Sequence, residues 1–152
     1  METNLHIDFL SGYNPVVGFK TCDYIYTPKL DLFFDTDTYT ILGVNDSSVS
    51  FLWCRNAIHH IKDLNKLVKE FYRVLSTDGF VVVVECREEY FANNVLLDTI
   101  WYRGITQREE VWFSHEYRNY EDVFVKHGFF LYHSSTDKEK EIKKFKKVLH
   151  YF

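Results

Sequence analysis

An α/β fold built on a mostly parallel sheet is predicted by three observations. Short β-branched and aromatic runs recur along the chain, amphipathic helical stretches lie between them, and turn residues mark the changes. From Val49 to His133 the succession is strand, helix, strand, helix, strand, the alternation that parallel strands joined by crossover helices require.

The elements follow in order. Asn4–Asp8 and Val16–Lys20 are short strand candidates, and Leu30–Phe34 is a third. Phe9 to Pro15 leaves only seven residues between the first two. A parallel crossover takes about a dozen residues, usually a helix. Either that crossover is stripped to a loop, or the two segments are not both in the sheet. Val49–Cys54 and Gly79–Glu85 read as strands buried on both faces. Asp63 is a plausible N-cap for a helix whose stripe is Leu64, Leu67, Val68, Phe71, Val74 and Leu75. Lys66, Lys69, Glu70 and Arg73 fall largely off that stripe, and Ser76 to Gly79 ends the helix. A second helix is expected over about residues 89–101. A third, over about residues 119–127, ends at Gly128, a natural left-handed position. Gly128–His133 completes the alternation and is a candidate antiparallel edge strand.

The tail from Lys138 to Phe152 carries six lysines against Glu139 and Glu141. A helix there places Ile142, Phe145, Val148 or Leu149, and Phe152 on one side. The expected organisation is therefore a single domain over residues 1–137 with a basic amphipathic helix, residues 138–152, docked on it.

Composition bounds the function. A length of 152 residues suits one domain, and 46% hydrophobic with 18% aromatic residues is ample for a core. A net charge of −4 gives no electrostatic footprint for nucleic acid. Cys22, Cys54 and Cys86 form no close pair, which argues against a disulfide framework and against a zinc site built from paired cysteines. No basic region followed by an apolar run opens the chain, and Phe80–Val84 is too short to span a bilayer. A soluble, cytoplasmic protein is expected.

One block is more specific. Ser47–Ile61 is a strand running through Cys54-Arg-Asn56 into the turn Ile58-His-His-Ile61. A helix follows and closes as Glu70-Phe-Tyr-Arg-Val-Leu-Ser-Thr-Asp-Gly79, and Tyr120 to Phe129 gives a later helix ending in Gly-Phe. Together these segments resemble the class I S-adenosylmethionine-dependent methyltransferases, in particular the compact, type 11-like branch. The resemblance implies a Rossmann-like, mostly parallel sheet with flanking helices, here a minimal form with shortened N-terminal crossovers.

It also implies roles. Asn4–Ile7 and Pro15–Asp23 align with the start of the family, whose glycine-rich turn then falls on Asp8-Phe9-Leu10, with Ser11 and Gly12 just beyond. Glycines there let the backbone approach the methionine end of the cofactor. Asp8 and Gly12 are the implied cofactor contacts at that turn. Asp23 takes the place of the acid that binds the ribose hydroxyls, and Asp35 or Asp37 that of the group at the adenine edge. Cys54, Arg55 and Asn56 follow the strand whose carboxyl end faces ligand in α/β sheets. His59 or His60 is the candidate base, since imidazole titrates near neutral pH. The aromatic stretch from Tyr90 to Tyr120 lies on the substrate side in the family and suits stacking on a sugar or base.

Two functions of different class follow. The first is a methyltransferase using S-adenosylmethionine on a small acceptor, with a sugar hydroxyl preferred. The alternative is a methyltransferase-like binding or scaffold protein that has lost the cofactor, because Asp8, Phe9 and Leu10 replace the glycines. A nucleotide-binding oxidoreductase is disfavoured by the lack of a GxGxxG motif. No membrane or nucleic-acid partner is expected, and a homo-oligomer or partner subunit that completes the site is left open.

Overall fold

The computed structural model describes residues 5–10, 16–24, 30–55, 57–86, 120–138 and 140–148, apart from the side chains of His59 and Cys86. Among these described residues, eight strands form one sheet: β1 (Leu5–Phe9), β2 (Lys20–Asp23), β3 (Leu32–Asp35), β4 (Thr40–Ile41), β5 (Val49–Arg55), β6 (Leu75–Cys86), β7 (Phe129–Asp137) and β8 (Lys140–Lys147). Helix α1 (Leu64–Val74) joins β5 to β6, and α2 (Tyr120–Lys126) precedes β7. The strand order is β4-β3-β2-β1-β5-β6-β8-β7. Neighbours from β3 to β6 pair in parallel, while β4 on β3 and β8 on both β6 and β7 run antiparallel. The α/β class and the mostly parallel sheet are as the sequence predicts.

Helix α1 forms where its pattern places it. The Asp63 carboxylate accepts from the Lys66 N–H at 3.1 Å, capping the first turn. Leu64, Leu67, Val68, Phe71 and Val74 are buried as expected, and Leu75 ends the helix by turning into β6. Glu70, expected off the stripe, is buried as well, and its partners explain why. Its carboxylate accepts from the Ile41 N–H at 2.7 Å and from Arg73 Nε and Nη2 at 2.6 and 2.7 Å. A buried acid is tolerated because both oxygens are engaged.

The core lies between the sheet and the two helices. Phe71 of α1 meets Phe9 of β1 edge-on at 5.0 Å, and Phe9 meets Phe34 of β3 at 5.1 Å. Phe124 of α2 stacks on Phe145 of β8 at 4.4 Å and packs on Phe129 at 5.3 Å. The opposite face carries a second aromatic group, in which Phe51 lies 4.5 Å from Phe80, 5.1 Å from Phe19 and 5.5 Å from Trp53. Both described helices thus pack on one face.

Gly128 follows α2 with φ +95, the left-handed conformation expected of it. An added Cβ would meet the Tyr72 ring at 2.7 Å, so both conformation and space select glycine.

Two N-terminal expectations are refined. β1 and β2 do pair in parallel, with Asp8 opposite Thr21, so the first crossover is reduced to residues 10–19. The second strand begins at Lys20, however, and Val16 to Phe19 form a turn closed by Phe19 N–H on the Val16 carbonyl at 3.3 Å. Gly18 at φ +90 sits in that turn. The expected second helix, and the aromatic stretch up to Asn119, lie outside the described residues.

The tail is corrected outright. Residues 140–147 are strand β8, not a docked helix, and β8 is inserted between β6 and β7. Phe145 is fully buried, opposite Val81 of β6 and Leu131 of β7. Three of the lysines of β8 have a place for their charge. Lys143 Nζ bonds Glu121 at 2.8 Å, and Lys147 Nζ donates to the Leu75 carbonyl at 2.8 Å while lying over the Tyr72 ring. Lys146 lies over Tyr132. Their stems cover apolar surface as their ammonium groups turn to these partners. β7 holds the edge as expected. It pairs antiparallel with β8, and because β8 also opposes β6, β7 runs in the same sense as the parallel set.

Candidate functional site

The parallel strands end together, and their carboxyl ends gather most of the described candidate residues. Asp8 is the next-to-last residue of β1, Asp23 the last of β2, Asp35 the last of β3, and Cys54 and Arg55 close β5. Residues adjacent in parallel register point to the same face, so Asp8 and Arg55 emerge together on the face away from the helices.

Asp8 is 1% exposed. Its Oδ2 accepts from the Val16 N–H at 2.8 Å and from Arg55 Nη2 at 3.1 Å. The first bond closes the loop after β1, and the second ties β1 to β5. Burial raises the Asp8 carboxyl above its ordinary 3.8, outweighing the lowering by Val16 and Arg55. Asp23 is buried as well, and its Oδ1 accepts from its neighbour Tyr24 N–H at 2.8 Å.

The turn expected at Asp8-Phe9-Leu10 divides in two. Phe9 is not part of it; it ends β1 inside the core with no exposure. Leu10 alone occupies the turn, with φ +52, in the left-handed region that glycine prefers. An L-residue there costs about 1–2 kcal/mol. Leu10 is half-buried and packs against the core, which offsets that cost. A leucine thus holds a left-handed φ at this one position.

Asp35 serves the hairpin from β3 to β4. Its Oδ1 accepts from the Asp37 N–H at 2.9 Å, an Asx turn, and Asp37 itself is exposed. The Cys54 side chain is fully buried, and burial, then the nearby Asp8 and Glu85 charges, push its thiol well up; Cys22 is raised in the same way. Burial disfavours the reactive thiolate at both positions. Arg55 is about one-third exposed, at 33%.

After β5 the chain turns through a single 3-10 turn, Ile58–His60, in which the His60 N–H donates to the Ala57 carbonyl at 3.0 Å. Both candidate histidines sit in this turn, and His60 is half-buried. Glu85, near the end of β6, is fully buried and accepts from the Ile58 N–H at 3.2 Å, holding the turn to the sheet. The sequence offers one signal for Glu85: a lone acid ending a fully apolar strand. Gly12 and Asn56, and the His59 side chain, lie outside the described residues. No group of three or more metal-ligating side chains occurs among the described residues, and none of their helices is long and apolar enough to cross a membrane.

Two nearly buried carboxylates, Asp8 and Asp23, thus stand at neighbouring strand ends, where acceptors can meet the hydroxyl or N–H donors of a ligand. Comparison with known proteins bears on the fold. Residues 26–83 match the methyltransferase domain family. A chain from the Haloferax volcanii complex containing the Trm112 methyltransferase activator superposes with a TM-score of 0.57 at 16% identity, over 99% of this chain and 85% of that one. An S-adenosylmethionine-dependent methyltransferase from Methanosarcina mazei gives 0.57 at 11% identity, over 99% and 95%. Another from Thermotoga maritima gives 0.62 at 13% identity, over 97% and 83%.

The chain has the class I methyltransferase fold. No curated protein matches its sequence. Within that fold, Asp8, Asp23, Asp35, Cys54 and Arg55 lie at the carboxyl ends of parallel strands, and β8 is the reversed strand between β6 and β7.

Proposed function

We propose that this chain binds S-adenosylmethionine at the carboxyl ends of β1, β2, β3 and β5 and transfers its methyl group to a small acceptor, with a sugar hydroxyl as the preferred class. The observation that supports this reading is the placement of buried Asp8 and Asp23 near the ends of the adjacent strands β1 and β2, beside a left-handed backbone at Leu10. Asp23 would accept the ribose hydroxyls in a charge-assisted pair. Asp8, neutralised by Arg55, would stand at the methionine end, and Asp35 at the adenine edge. When bound, the cofactor supplies a methyl group on a sulfonium, already electrophilic. What the protein must add is alignment and a place for the acceptor's proton. His60, in the turn that Glu85 holds, would take that proton.

Equilibrium dialysis of the full chain against labelled S-adenosylmethionine tests the reading. Saturable retention, displaced by S-adenosylhomocysteine, supports it. No retention at millimolar ligand overturns it.

A further inference from the structure

Strand β8 divides its lysines between the two faces of the sheet. Lys143 and Lys147 lie on the helix side with Phe145, where they bond Glu121 and the Leu75 carbonyl. Lys144 and Lys146 alternate with them and lie on the other face. Neither has a carboxylate partner among the described residues. Their surroundings on that face are aromatic. Lys146 stands between Phe80 of β6 and Phe130 of β7, and Phe80 meets Phe51 of β5 at 4.5 Å. A bulge between Leu131 and His133 makes Tyr132 an extra residue, and its ring comes to 6.2 Å from that of Phe130. Lys146 Nζ lies 5.2 Å from the centre of the Tyr132 ring. Phe130 and Tyr132 are 45% and 40% exposed, so two large rings face solvent side by side.

The row Phe51, Phe80, Lys146 and Phe130 crosses four neighbouring strands, about 14 Å, and contains no acid. A net charge of −4 conceals this, because residues 138–152 hold six lysines against two glutamates. We infer that this face binds single-stranded nucleic acid, with bases stacked on Phe130 and Tyr132 and phosphates met by Lys144 and Lys146. Unpaired bases offer the flat surface that exposed rings accept, and the phosphates between them bring the charge that the two lysines lack. A duplex keeps its bases stacked inside, and a two-fold contact with a second copy would set lysines against lysines. The surface lies toward the amino ends of the strands, Phe51 being the third residue of β5 and Phe130 the second of β7. It is therefore separate from the carboxyl ends proposed for the cofactor, and stands or falls without them.

Fluorescence anisotropy of the full chain with a fluorescein-labelled oligouridine of about ten nucleotides tests this surface. Saturable binding is expected at low salt, with log Kd rising against log salt at a slope of about 1.4 for two phosphates. Lys144→Gln should lower that slope by about 0.7. Tyr132→Ala should weaken binding about tenfold, while Tyr132→Phe, which keeps the ring, should leave it unchanged. A duplex of the same length should bind more weakly by about tenfold or more. Cooperative thermal unfolding of each variant checks that its fold is kept. No saturable binding, equal affinity for the duplex, or wild-type affinity in Tyr132→Ala would overturn the assignment. Self-association in sedimentation that Tyr132→Ala disperses, with no oligouridine bound, would give the face to a second copy and overturn it equally.

Discussion

Arg55 Nη2 donates to Asp8 Oδ2 at 3.1 Å, joining the carboxyl ends of β5 and β1 beside the candidate site. Asp8 is almost without exposure, whereas Arg55 reaches partly into solvent, so the pair neutralises an acid that burial alone would leave at high cost.

Removing Arg55 should expose that cost. Burial already raises the Asp8 carboxyl, so its ionised form is the unfavourable one in the folded state, and folding is favoured as pH falls from neutral toward the carboxyl's ordinary 3.8. Arg55→Met removes two of the lowering influences. A loss of about 1–3 kcal/mol is expected near neutral pH, shrinking as the pH falls toward the carboxyl's ordinary 3.8 and Asp8 takes up a proton. Denaturant unfolding across that range checks this, and a loss that does not change with pH would contradict it.

Glu70 and Arg73 form a second unit, extended by Arg73 Nη1 to Asp46 at 2.7 Å and to the Val44 carbonyl at 3.0 Å. Together they fasten α1 to the β4 hairpin and to the loop before β5. Glu70→Ala is expected to cost about 2–3 kcal/mol, since it also leaves the buried Ile41 N–H without its acceptor. Arg73→Ala should cost less, and the double variant less than the two single losses added. A double-mutant cycle by chemical denaturation measures the coupling; strict additivity would show that the pair does not act as a unit.

How much of this was legible in the sequence depends on where each element draws its stability. α1 was readable because its cap, stripe and stop are local, and Gly128 because its conformation excludes other residues. The places of Asp23 and Asp35 at strand ends, and of Asp8 one residue before the end of β1, were readable because short apolar runs of a parallel sheet give way to polar residues where they stop. β8 was not readable. Its residues, Lys140 to Lys147, show Ile142 and Phe145 at helical spacing, and its strand state comes from backbone pairing with β6 and β7 on both sides. The burial of Glu70 was hidden for the same reason, since the Ile41 N–H that it serves lies 29 positions away. Phe9 looked like part of a turn because the sequence does not show where β1 stops.

The position of β8 gives a direct expectation. A chain truncated after Asp137 loses a strand flanked on both sides, leaving the edges of β6 and β7 unpaired. It should fail to unfold cooperatively, whereas loss of a docked helix would leave a folded domain. Within the full chain, Phe145→Ala should cost about 3–5 kcal/mol, since the ring is fully buried against Phe124. Near-wild-type stability in either variant, by calorimetric scanning, would contradict the assignment.

The ligand site is tested most directly by titrating S-adenosylhomocysteine into wild type and into Asp23→Ala. Saturable binding by wild type is expected, with affinity falling by about 1–3 kcal/mol in Asp23→Ala while its unfolding remains cooperative. Equal affinity in the two proteins would contradict the placement of the ribose at Asp23, and no binding by wild type would contradict the cofactor site as a whole.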